Sequence, residues 1–120
     1  MDKTLMFVGA LMGAVGVGIG AFGAHGLRGR LSPEMLAVFE TGVRYHMYHA
    51  LAILGTAALM SRVDGRAILI AGWSFFAGIV LFSGSLYALA LTGVTTLGAI
   101  TPIGGLAFLI GWISLAIAAF

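Results

Sequence analysis

Long apolar runs separated by short charged segments organise this chain. All ten charges fall in three places: Asp2–Lys3, the stretch from Arg28 to Arg44, and Arg62–Asp64–Arg66. The first uncharged run, Thr4 to Leu27, is 24 residues long. About 20 helical residues at 1.5 Å each span the roughly 30 Å hydrocarbon core of a bilayer, so this run predicts a crossing over 5–24. A cleaved leader is the competing reading, because Ala21-Phe22-Gly23 is small enough to be processed. The single Lys beside Asp2 and a run longer than the usual ~7–15 residues favour a retained helix. The last uncharged run, Ala67 to Phe120, is too long for one helix and breaks at Thr92-Gly93-Val94-Thr95-Thr96. It predicts crossings over 67–91 and 97–119. The latter either starts near Leu97 with Pro102 kinking its first turns, or uses Thr101 as cap and Pro102 as first helical residue.

The second crossing is the hardest to place. Its uncharged stretch, Tyr45 to Ser61, holds two histidines. Upstream, Ser32-Pro33-Glu34 reads as a helix start: a cap, a proline at the first position, and an acid at the positive end of the dipole. At 100° per residue, Met35, Phe39, Gly42, Val43, Met47 and Ala50 fall on one arc. Glu34, Ala37, Glu40, Thr41, Arg44, Tyr45 and Tyr48 fall on the other. Glu40 precedes Arg44 by four residues, the better orientation for a helical ion pair. The segment 32–45 is therefore expected to be an interfacial amphipathic helix, running directly or through a bend into a crossing over 46–61. The fold class is all-α: one domain over 1–120, an integral membrane four-helix bundle with that interfacial segment. Both termini then share a side. Lys3, Arg62 and Arg66 on one side balance Arg28, Arg30 and Arg44 on the other, so positive residues do not choose the orientation.

Composition agrees with a membrane class. The chain is 61% apolar and 8% charged, against roughly 45–50% and 25% for soluble domains. Its net charge of +2 is too thin for a nucleic-acid footprint, which needs a clustered basic face. Without cysteine, disulfides, thiolate metal sites and thiol nucleophiles are excluded. The string Gly18-Ile19-Gly20-Ala21-Phe22-Gly23 matches a dinucleotide fingerprint only in letters, because it lies inside a crossing rather than after a strand.

Two sets of residues carry candidate chemistry. Gly9, Gly13, Gly16 and Gly20 form small stripes at four-residue spacing, where another helix can approach closely, within one bundle or between copies. The polar set is His25, Glu40, Arg44, His46, His49, Ser83 and Tyr87, and ionisable groups at membrane depth are functional candidates by default. His46 and His49 lie about 60° apart on the apolar arc. They could present two imidazoles to one metal with His25 as a third, or handle protons near neutrality. Glu40, about 120° away on the same wheel, does not join them. The alternative is that these rings hydrogen-bond backbone carbonyls or hydroxyls of neighbouring helices. Ser83 and Tyr87, one turn apart, add hydroxyls that ordinarily bond across helices. No nucleophile–base pair appears.

Four strings share one pattern: Gly20-Ala21-Phe22-Gly23-Ala24-His25-Gly26-Leu27, Phe39-Glu40-Thr41-Gly42-Val43-Arg44-Tyr45-His46-Met47-Tyr48-His49-Ala50-Leu51, Leu81-Phe82-Ser83-Gly84-Ser85-Leu86-Tyr87 and Ile100-Thr101-Pro102-Ile103-Gly104-Gly105. In these the chain resembles domain-of-unknown-function family 423, small bacterial inner-membrane proteins with mitochondrial relatives in eukaryotes. The resemblance implies a four-helix protein of the bacterial inner membrane and supplies no reaction. His25 and His49 fit the family pattern, whereas His46 stands where glutamine is often found, which weakens a shared two-histidine metal site. The expected function is non-enzymatic, a packing or stabilising role within a larger membrane assembly. The alternative is a small oligomeric transporter or channel for protons, a metal ion or a small solute. No cofactor or metal is expected. Membrane lipid and either further copies of the chain or another membrane protein are the expected partners, with no nucleic acid.

Overall fold

The computed structural model describes residues 2–120, and every regular element among them is helical. The first helix, α1 (Asp2–Phe22), runs on into a π-helical turn, Gly23–Leu27. Gly29, at φ 85°, reverses the chain, a left-handed conformation that glycine adopts without steric cost. Helix α2 (Pro33–Leu59) begins where Ser32 accepts a hydrogen bond from the Met35 amide at 3.2 Å, with Pro33 in its first turn. After a second turn at Gly65, α3 (Arg66–Gly78) passes through a π segment, Ile79–Ser83, into α4 (Gly84–Thr92). These three pieces form one rod, which ends at Gly93 (φ 72°). A 3₁₀ turn, Thr95–Ala99, leads to α5 (Thr101–Ala118). Pro102 lies in the first turn of α5 and does not kink it, although the capping position belongs to Ile100 rather than Thr101.

Three helical stretches are long and apolar enough to cross a membrane: Lys3–Leu27, Arg66–Thr92 and Thr95–Ala118. Helix α2 is as long as the α3–α4 rod, but its charged, histidine and tyrosine residues leave it outside that set.

No separate interfacial helix forms at 32–45; that segment is the first half of an unbroken α2. The physical reason is what meets its apolar arc. Phe39, Gly42, His46 and Ala50 are buried, with Phe39 set against Gly23 of the π turn and Gly42 against the ring of Tyr87. Protein already covers the face that an interfacial helix would sink into lipid.

Helix α1 packs along α2, α5 along α3, and α2 meets the α3–α4 rod between them. The result is a flattened body of 48 × 26 × 16 Å. Leu5, Ile53, Ala71, Phe75, Ile79 and Phe108 form the main core, and Leu27, Phe39 and Ala90 a smaller one at the far end. Lipid tails are as apolar as leucine, so contact in such a bundle depends on close fit rather than on expelling water. Gly104 shows the closeness required: a Cβ there would fall on the backbone of Phe82.

Candidate functional site

Polar side chains gather at the middle of α2, where α1 and α4 face it on one flank and α5 on the other. His46 is buried on α2. Its Nε2 lies 2.7 Å from the Met12 carbonyl of α1, and its Nδ1 lies 2.8 Å from the Tyr87 hydroxyl of α4. A carbonyl only accepts, so Nε2 carries the proton, and the neutral ring then accepts at Nδ1 from the Tyr87 O–H. One turn along, His49 is also buried and has the opposite tautomer. Its Nδ1 donates to the Tyr45 carbonyl at 2.7 Å, and its Nε2 accepts from the indole N–H of Trp112 at 3.0 Å. An indole can only donate, so this second bond fixes the assignment. The His49 ring also stacks on Phe108 with centroids 3.6 Å apart and planes 9° from parallel.

The π segment explains the hydroxyls. Its extra residue per turn brings Ser83, at its end, onto the face towards α2. There the Ser83 hydroxyl donates to the Gly42 carbonyl at 2.7 Å. Tyr87 follows one turn later with its ring over Gly42, where any Cβ would collide with it. At the α4–α5 contact, Ser85 donates to the Phe82 carbonyl at 2.9 Å and pairs with the Thr101 hydroxyl at 2.6 Å. A hydroxyl has one proton, so Thr101 is the donor in that pair. Among the described residues, no buried side-chain nitrogen or oxygen lacks a partner.

The structure joins His46 with Tyr87, sets Ser83 beside them, and ties His49 to α5. It does not bring the whole sequence-derived set together. His25 is exposed on the π turn that ends α1. Glu40 and Arg44 are exposed and line a separate cavity. Among the described residues, no group of three His, Asp or Glu side chains is placed to hold a metal. The glycines divide as well. A Cβ at Gly9 would press on Leu54 and Ile53, one at Gly16 on Met47 and His46, and one at Gly20 on Val43. Gly13 has nothing within 4 Å. The face of α1 towards α2 thus runs through Gly9, Gly16 and Gly20 and continues into Gly23 of the π turn.

Sequence reasoning missed Trp112 and the Met12 carbonyl. A backbone acceptor leaves no trace in composition. Trp112 is half exposed and resembles an interface anchor, and only the crossing of α5 over α2 turns its N–H towards His49.

Residues 19–105 match the family described as protein of unknown function (DUF423). The chain belongs to this family. Among its relatives, the UPF0382 membrane protein YwdK of Bacillus subtilis is 52% identical over 118 residues, covering 98% of this chain and 96% of its own. The UPF0382 membrane protein SAB0533 of Staphylococcus aureus (strain bovine RF122 / ET3-1) is 51% identical with the same coverage. SERP0230 of Staphylococcus epidermidis is 52% identical over 116 residues, 97% of this chain and 94% of its own. No solved structure matches the chain. The DUF423 match includes both buried histidines and Tyr87 but stops short of Trp112 and begins after Met12. Membership makes this a membrane protein with bacterial relatives, and neither the family's description nor the relatives' names carry an enzymatic term.

Proposed function

We propose that the protein is a non-enzymatic structural component of the bacterial inner membrane, stabilising a larger membrane assembly of its own copies or of another membrane protein. The observation behind this reading is that His46 and His49 spend both ring nitrogens on fixed partners. A metal needs an imidazole lone pair, and here Tyr87 and Trp112 already occupy the two available. A proton carrier needs a path of polar groups, yet of the rings packed around His49, namely Tyr45, Phe75, Phe108 and Trp112, only Tyr45 bears a hydroxyl. What the bonds do accomplish is registry. His46 ties α1 to α4 through α2, and His49 ties α2 to α5.

Apolar side chains on the outer faces of α1 and α5 remain open to lipid or to a partner. Phe7, Val17, Leu109 and Ile113 are each about 60% exposed, which suits an outward role better than an enclosed pore. The test is reconstitution into vesicles with flux dyes for protons and divalent metals, alongside native mass spectrometry of the purified protein. Flux equal to empty vesicles together with a defined oligomer or co-purified partner supports the structural role. Flux above empty vesicles that His46→Ala or His49→Ala removes would instead establish the small transporter or channel.

A further inference from the structure

Where α1 ends and α2 begins, an open-sided cavity of about 260 Å³ separates the two helices. Gly20 of α1 and Gly23 of the π turn form one wall, and Phe39 and Val43 the α2 floor. Glu40 and Arg44 stand at its rim. Both are exposed, and among the described residues no ion pair within 4 Å joins them. The neighbouring π turn places Gly23 opposite Phe39, and π turns occur disproportionately at functional sites.

From this geometry we infer that the cavity binds a phosphoethanolamine lipid headgroup, with the phosphate on Arg44, the ammonium on Glu40, and the glycerol and upper acyl carbons on the apolar floor. The inference rests on α2 lying across the membrane. At about 1.5 Å per residue, its 27 residues extend roughly 40 Å, the thickness of a bilayer with its headgroup layers. Its uncharged stretch, Tyr45 to Ser61, covers about 26 Å of the roughly 30 Å hydrocarbon core, which puts Arg44 at the headgroup–hydrocarbon boundary and Glu40 about 6 Å outside it. Charges exposed to lipid at that level are costly unless they meet counter-charges.

One carboxylate and one guanidinium, one helical turn or about 5–6 Å apart at Cβ, call for a ligand with both signs at similar separation. Phosphoethanolamine has a phosphate and a primary ammonium two carbons apart. Phosphocholine offers the positive charge but no N–H to donate to Glu40, and phosphoglycerol offers no positive charge at all. Guanidinium and carboxylate are respectively well suited to bind phosphate and ammonium through charge-assisted hydrogen bonds.

The test is native mass spectrometry of the detergent-purified full chain with equal amounts of phosphatidylethanolamine, phosphatidylcholine and phosphatidylglycerol, after flotation with vesicles of the same lipids. The wild type is expected to float and to retain phosphatidylethanolamine about threefold or more over either competitor, the scale of one solvent-accessible charge contact. Glu40→Gln is expected to bring that lipid down to the level of phosphatidylcholine. Arg44→Gln is expected to lower retention of all three, and Arg62→Gln, at the opposite end of α2, to change nothing. Both rim residues are exposed, and matching circular dichroism melts check that the variants are folded. Equal retention of the three lipids, a preference for phosphatidylglycerol, or an unaltered preference in both rim variants overturns the inference. Failure to float overturns the membrane placement beneath it. The same spectra report oligomeric state independently of lipid occupancy, so failure of the assembly role remains distinguishable.

Discussion

Gly104 and Gly105 are adjacent in α5, and replacing each with alanine should have opposite consequences. At 104 the new Cβ would lie 2.6 Å from the Cα of Phe82 and 2.7 Å from its Cβ, and closer still to its backbone nitrogen. Those atoms belong to the π segment of the α3–α4 rod and cannot swing aside as a side-chain tip would. Overpacking a closely fitted site typically costs about 1–3 kcal/mol, and a backbone obstacle places Gly104→Ala towards the upper end of that range. The helices must also part where Ser85 meets Thr101, weakening that hydroxyl pair. At 105 the nearest atom would be Phe82 Cδ2 at 3.9 Å, an ordinary contact. Gly105→Ala should gain up to about 0.5–1 kcal/mol from reduced backbone entropy. The two variants are therefore expected to differ by about 2–4 kcal/mol. Reversible unfolding in mixed micelles, followed by circular dichroism against denaturing detergent, measures that difference. A Gly104→Ala protein within about 0.5 kcal/mol of wild type, the usual scatter of innocuous substitutions, would refute the close approach of α5 to the rod.

Similar logic separates Gly16→Leu from Gly13→Leu in the same unfolding assay. The first should lose about 1–3 kcal/mol because Met47 and the hydrogen-bonded His46 ring occupy the space, and the second should remain near wild type. Trp112→Phe removes the indole donor to His49 Nε2 and should cost about 0.6 kcal/mol, the average for interhelical hydrogen bonds in membranes, and at most about 1.7. His49→Ala also gives up the Tyr45 bond and the Phe108 stack, so thermal unfolding in detergent should show a larger loss, about 1–3 kcal/mol. Zn(II) or Cu(I) added to the wild type should leave its unfolding midpoint unchanged, since no ring nitrogen of His46 or His49 is free.

Charge segregation made the helical, membrane-bound character readable from sequence, because ten charges in three clusters leave runs that only helices can carry across a bilayer. The first half of α2 misled for a physical reason. A wheel with polar and apolar arcs looks alike whether lipid headgroups or other helices cover the apolar side, and the sequence does not say that Gly23 and Tyr87 supply the cover. The same ambiguity affected the glycine stripe: four-residue spacing selected Gly13 along with Gly9, whereas the contact with α2 steps from Gly9 to Gly16. His46 and His49 stood out as buried titratable groups. Tyr87 stood out with them, though not its pairing with His46 across a loop and a helix; the other partners did not, because one is a carbonyl and another a tryptophan 63 positions away.

The central claim, that both histidines are neutral and fully engaged, is tested most directly by long-range nitrogen–proton correlation spectra of the ¹⁵N-histidine-labelled protein in micelles at neutral pH. Chemical shifts of the ring nitrogens identify which one carries the proton. The account requires two opposite tautomers, protonated at Nε2 in His46 to serve the Met12 carbonyl and at Nδ1 in His49 to serve the Tyr45 carbonyl. Matching tautomers at the two sites, a doubly protonated ring, or shifts that move when Zn(II) is added would contradict it.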